Sequence, residues 1–222
     1  MNFFGHALIA QRHEATRGAV RAEFVLGSML PDFASMLRVR PPRATRGALV
    51  AGLHFHHLTD EAFHGSQSFL EFSGQASSYL RSRGLPRGSA RAVAHVGVEL
   101  LLDAALATNS ANEAYLCALE CALTERVADH IEWQSSDGKA RFTQLCRSLV
   151  GRGAVGTDTP PELVAQRLRN ILADRPRLAL DDAGQSVVRD WVVAARPLIV
   201  SRAPLLVVEV ERRLEHSNSL ER

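Results

Sequence analysis

Apolar residues in this chain recur at intervals of three and four, and nowhere alternate as a half-buried strand requires. Phe3, Phe4, Ala7 and Leu8 predict a short helix over residues 2–13. A second apolar run, 21–37, is interrupted by Gly27, Ser28 and Pro31, and Asp32 follows the proline directly. A helix is expected from about 48 to 64. Another over 66–83 buries Phe69, Leu70, Phe72 and Tyr79. The breaker RGLPRGS separates it from a helix over 90–108, and 112–133 repeats the pattern with Tyr115, Leu116, Leu119, Leu123 and Val127. Shorter helices follow at 140–150 and, after the loop GRGAVGTDTPPE, at 161–173, where Thr159, Pro160 and Glu162 form a start signal. A last helical stretch, 183–214, contains Pro197 and Pro204, where breaks or kinks are expected. The expectation is an all-α, single-domain multi-helix bundle spanning residues 1–222.

Composition narrows the class without naming a function. The hydrophobic share of 46% allows a sizeable core, and a net charge of +2 gives no global case for nucleic-acid binding. Cys117, Cys121 and Cys146 lack the spacing of a zinc finger or a disulfide framework. The first eighteen residues do not read as a signal peptide. The longest apolar run, near 197–210, carries Arg202, Glu209 and two prolines and does not read as a membrane span, so a cytoplasmic protein is expected.

Candidate chemistry lies inside the apolar helices. The stretch GLHFHHLTDEAFH holds four of the nine histidines and sets His56, Asp60 and His64 at i, i+4 and i+8. AHVGVELLLDAAL does the same with His95, Glu99 and Asp103. Side chains at this spacing share one helix face. Two such helices facing each other supply the imidazoles and carboxylates of a divalent-metal site. No lysine or arginine occurs within 53–64 or 94–107 to balance these carboxylates, which calls for a cation. His6, inside an apolar pattern, is a further candidate ligand. Asp32 either favours a helix N-terminus after Pro31 or is presented to the site at a helix break. Arg38, Arg40, Arg43 and Arg46 crowd a proline-containing loop, as a solvated run or as a docking patch for an acidic partner. Imidazole with carboxylate suits zinc, manganese or iron, and no GxSxG elbow offers a serine nucleophile instead.

In order and spacing, MNFFGH, LGSMLPDF, GLHFHHLTDEAFH and VELLLDAALA resemble the acyl carrier protein phosphodiesterases, an all-helical family related to the HD-type metal hydrolases. The resemblance covers roughly residues 1–107. It implies an HD-like bundle that uses a divalent cation, typically manganese, to release 4'-phosphopantetheine from holo-acyl carrier protein. It implies His6, Asp32, His56, Asp60, Glu99 and Asp103 as site residues; the helical spacing adds His95 as a ligand, and Asp60, Glu99 and His64 are the candidates for the catalytic roles. The arginine loop would then meet the acidic carrier protein. Three positions depart from the family pattern: His64 and Glu99 stand where it has aspartates, and His57 where it has arginine. The richer imidazole set is also similar to the zinc-dependent phospholipase C and single-strand nuclease type, with His56/Asp60 and His95/Glu99 as ligand pairs. A non-catalytic helical interaction module with a degenerate metal site is the alternative of another class.

Overall fold

In the computed structural model the apolar stripes close on one another as a bundle of ten helices among the described residues, which are 2–153 and 158–220. Helices α1 (Phe3–Ala15) and α2 (Ala22–Leu37) are buried along most of their length and form the centre. Helix α3 (Gly47–His64) lies along α2, and α6 (Asn109–Ala122) and α8 (Gly138–Arg152) complete that half. The other half is α4 (Gln67–Ser82), α5 (Arg87–Ala105), α9 (Pro161–Leu172) and α10 (Asp182–Leu220). Contacts of α1 with α5 and of α3 with α10 and α4 join the halves.

Two glycine contacts set how the histidine-bearing helices lie. Gly27 of α2 meets Gly52 of α3 backbone to backbone. A Cβ on Gly52 would stand 2.8 Å from Gly27 Cα and 2.9 Å from Ser28 N. On α5, a Cβ on Gly97 would strike the buried Trp191 ring of α10 at 2.6 Å. Gly97 therefore seats α5 two residues from both His95 and Glu99.

The expected helix over 112–133 is three elements. Thr108 caps α6, its side chain accepting from Ala111 N at 3.4 Å, so the helix begins earlier. At its end Thr124 Oγ1 donates to Cys121 O at 2.7 Å, occupying a terminal carbonyl, and a short α7 (Glu125–Ala128) follows. The chain then forms β2 (Ile131–Glu132), antiparallel to β1 (Arg43–Ala44). Strands of two residues leave no alternation to read, and apart from them the described residues form the expected all-α bundle.

The proline breaks are absent. Helix α2 runs through Pro31, so Asp32 stands in mid-helix and caps nothing. Helix α10 runs through Pro197 and Pro204, both exposed. The carbonyls they release, of Val193 and Val200, belong to residues on the solvent side, where water can take the missing bonds. Over Asp182–His216, α10 is long and apolar enough to cross a membrane by length and composition. In the bundle its charged residues find partners: Arg202 pairs with Glu71, and Glu209 accepts from Ser68 N and Oγ. The described part of the loop 151–162 is 151–153 and 158–162.

Glu14, 1% exposed at the end of α1, takes hydrogen bonds from Arg21 Nε at 2.6 Å and Nη2 at 2.8 Å. The Arg21 guanidinium holds the Glu14 carboxyl below the usual range. A depressed folded-state pKa gives stability that is fully present above the unfolded value, near 4.3, and lost as pH falls through the folded value. Because Arg21 is half-exposed, Glu14→Gln should cost about 1–2 kcal/mol at pH 7. In urea unfolding the wild-type advantage should shrink below about pH 4; a constant difference would mean the carboxylate charge contributes nothing.

Candidate metal centre

Seven of the residues singled out in the sequence meet where the two halves of the bundle join. They come from α1 (His6), α2 (Asp32), α3 (His56, Asp60, His64) and α5 (His95, Glu99). Six of them form two groups that could each hold a cation, His6, His56 and Asp60, and His64, His95 and Glu99, and Asp32 stands beside the first. Within each group one ligand atom per residue lies within 4.8 Å of the others. Asp60 links the groups, its Oδ1 standing 3.7 Å from His6 Nε2 and 3.5 Å from His64 Nδ1.

Hydrogen bonds assign the tautomers in the first group. Thr59 Oγ1 donates to His56 O at 2.8 Å, so its lone pairs face His6 Nδ1, also at 2.8 Å. His6 Nδ1 therefore carries the proton. His56 Nδ1 must likewise donate to the Ser28 carbonyl at 2.8 Å. Both rings then offer bare Nε2 atoms, the arrangement by which outer partners orient metal-binding histidines. His6 is fully buried, and burial pushes its pKa down to about 3, so the ring is neutral at physiological pH. The two rings stack with centroids 4.0 Å apart.

The space in front of His6 Nε2 fits a cation. His6 Nε2 and Asp32 Oδ2 are buried, 3.9 Å apart, and neither has a hydrogen-bond partner. An unprotonated nitrogen facing two carboxylates brings lone pairs together, and a buried polar atom left so costs about 1–3 kcal/mol. A divalent ion resolves both problems through a donor set of imidazole nitrogens and carboxylate oxygens. Burial raises Asp32 well above the usual carboxylate range. For Asp60 burial also acts upward, but the protonated His64 ring beside it acts the other way and holds the carboxyl below that range.

In the second group His64 lies between two carboxylates, with Nε2 3.1 Å from Glu99 Oε1 and Nδ1 facing Asp60. Burial alone would lower its pKa, but hydrogen bonds to Asp60 and Glu99 push it up to about 9. Without an ion, His64 is an imidazolium that neutralises part of the carboxylate charge. His95 Nε2 stands 3.3 Å from the same Glu99 oxygen, and its ring stacks on His64 at 4.9 Å. Burial lowers the pKa of His95.

Other expectations fare differently. Asp103 belongs to neither group. Its Oδ1 accepts from Gly5 N at 3.1 Å, tying α1 to α5 next to His6, and burial pushes its carboxyl up to about 7. The arginine loop does not line the cavity beside the histidines. Arg38 ends α2 in the left-handed region and pairs with Asp174, and Arg46 pairs with Glu23 at 2.8 Å. Arg43 lies in β1, and Arg40 is exposed. The cavity has its own arginines, Arg91, Arg167 and Arg175, in a volume of about 870 Å³ that reaches Asp32, His95 and Glu99. Thr59 and the Ser28 carbonyl also went unread. Thr59 could have been found three residues after His56, where its hydroxyl reaches the His56 carbonyl.

Searches of protein-family models, curated proteins and solved structures find no match to this chain.

Proposed function

We propose that this chain is a metal-dependent phosphodiesterase, with His6, His56 and Asp60 at its principal cation site and His64, His95 and Glu99 beside it. The observation that carries the reading is the buried, unpartnered pair His6 Nε2 and Asp32 Oδ2, set against Asp60 and two tautomer-locked imidazoles. When bound, a manganese or zinc ion supplies a water of lowered pKa and positive charge for phosphoryl oxygens. The protein's part is to orient and to move protons. Thr59 and the Ser28 carbonyl hold the two rings, and Asp60 connects the groups. His64, between Asp60 and Glu99, would hold the proton for the leaving oxygen. Arg167 on the cavity wall meets phosphoryl charge. The resemblance to the acyl carrier protein phosphodiesterases favours holo-acyl carrier protein as substrate and an HD-like ancestry. A zinc-dependent phospholipase C or nuclease type is the second reading, favoured by the imidazole-rich group His64, His95 and Glu99.

The test combines elemental analysis with hydrolysis of bis(4-nitrophenyl) phosphate and of holo-acyl carrier protein. Hydrolysis should vanish on chelation and return with the native ion. Release of 4'-phosphopantetheine restored by manganese supports the first reading. Hydrolysis of the small diester restored by zinc alone supports the second. A folded protein that takes up neither ion would be the non-catalytic interaction module.

A further inference from the structure

The cavity beside the metal groups is an elongated groove charged at both ends. At the near end lie Asp32, His95 and Glu99, with Arg167 on the wall. Arg167 is half-buried, feels the Asp103 carboxylate, and has no hydrogen bond or ion pair with the described residues. Arg91 lies on the same face of α5 as His95 and Glu99. The eight steps from Arg91 to Glu99 span about 12 Å of helix. Helix α9 runs the opposite way along the groove. Arg167 is at the metal end, whereas Leu178, just beyond Arg175, approaches Gly88 at the start of α5. Arg91 and Arg175 thus share the far end, both exposed and both without a hydrogen-bonded or ion-paired side-chain partner among the described residues. Between the ends the wall is neutral, with Leu70, Val96 and Ile171 beside Ser73, whose buried Oγ has no partner. The volume, about 870 Å³, is that of a site for a substantial small molecule.

We infer that the groove binds an elongated ligand with two anionic groups about 12 Å apart, a phosphoryl group at the metal end and a second phosphate or carboxylate between Arg91 and Arg175. This rests on the phosphodiesterase reading for the identity of the near-end group. The two like-charged ends and the uncharged wall between them select for length. A single-anion diester satisfies only one end. Arg91 and Arg175 are thereby specificity-determining residues, remote from the reacting atoms.

A molecular ruler tests this. Alkane-α,ω-bisphosphonates with four to twelve carbons, and octylphosphonate as the single-anion reference, are titrated calorimetrically into protein with and without manganese or zinc. Affinity relative to octylphosphonate should peak near the eight-carbon spacer, by about tenfold, and should weaken with added salt. In Arg91→Ser/Arg175→Ser that ratio should fall to about one at every length. A ratio independent of spacer length, or a peak surviving in the double variant, would overturn the proposal. Failure of the phosphodiesterase reading looks different: no metal uptake, and octylphosphonate binding indifferent to metal. The spacer dependence is still read in the ion-free protein, where Arg167 is the near anchor.

Discussion

Asp60→Ala should remove both the bound divalent ion and phosphodiester turnover while leaving the bundle folded. Asp60 is the carboxylate of the first group and links it to the second, facing His6 on one side and His64 on the other. Losing an outer partner of a ligand typically costs 10–100-fold in metal affinity, so losing this carboxylate should exceed about 100-fold. Lewis-acid stabilisation worth several kcal/mol goes with the ion, a fall in turnover on the order of 10³-fold. The fold should tolerate the change. The Asp60 side chain is 40% exposed, and a partly solvated ion pair contributes less than about 1 kcal/mol. Asp60→Asn separates charge from shape and should behave like alanine in metal content. Elemental analysis and diester hydrolysis read both effects; full metal content or surviving turnover in Asp60→Ala would remove Asp60 from the centre.

Much of the fold could be read from periodicity because long helices with one apolar face dominate it. The errors fall where a local signal met a tertiary one. Pro31 reads as a break, yet α2 is buried against its neighbours on most sides, and that burial outweighs the cost of about 3 kcal/mol for an interior proline. Tyr115 through Val127 reads as one helix because the apolar spacing carries on past Leu123. The interruption comes from a hydroxyl, Thr124, bonding back to Cys121 O, which apolar spacing does not register.

The site was legible in its residue types and only partly in its arrangement. The i, i+4 spacing on α3 and α5 places imidazole and carboxylate on one face, and both helices do turn those faces to a shared region. Spacing cannot say that His56 belongs with His6 from another helix, whereas His64, two turns later, belongs with His95 and Glu99. Nor can it separate Asp103, at the same periodicity as Glu99, whose carboxylate is spent on the Gly5 amide. A dense run of arginines in a loop is conspicuous in sequence, and in the fold Arg38 and Arg46 of that run are engaged in ion pairs. The cavity's arginines are scattered over α5, α9 and the segment after it. Arg91 alone carried a signal, standing one turn before His95.

Gly52→Ala should destabilise the protein and weaken metal binding together, because the contact that lets α3 reach α2 also seats His56. The added methyl would stand 2.8 Å from Gly27 Cα and 2.9 Å from Ser28 N. Both neighbours are backbone, so no side-chain rotation relieves the clash and the helices must separate. Overpacking of this kind costs about 1–3 kcal/mol, and the rigid neighbours place Gly52 at the upper end. Separation would draw the Ser28 carbonyl away from His56 Nδ1, now 2.8 Å apart, and free the ring to change tautomer and orientation. Loss of such an outer hydrogen bond costs metal affinity about 10–100-fold. Gly151→Ala is the matched control. It lies in α8, exposed, with nothing within 4 Å of an added Cβ, and should gain about 0.5–1 kcal/mol from helix propensity alone. Urea unfolding and metal titration of the two variants separate the effects. If Gly52→Ala matches the wild type in both, the close crossing of α2 and α3 is not what holds His56 in place.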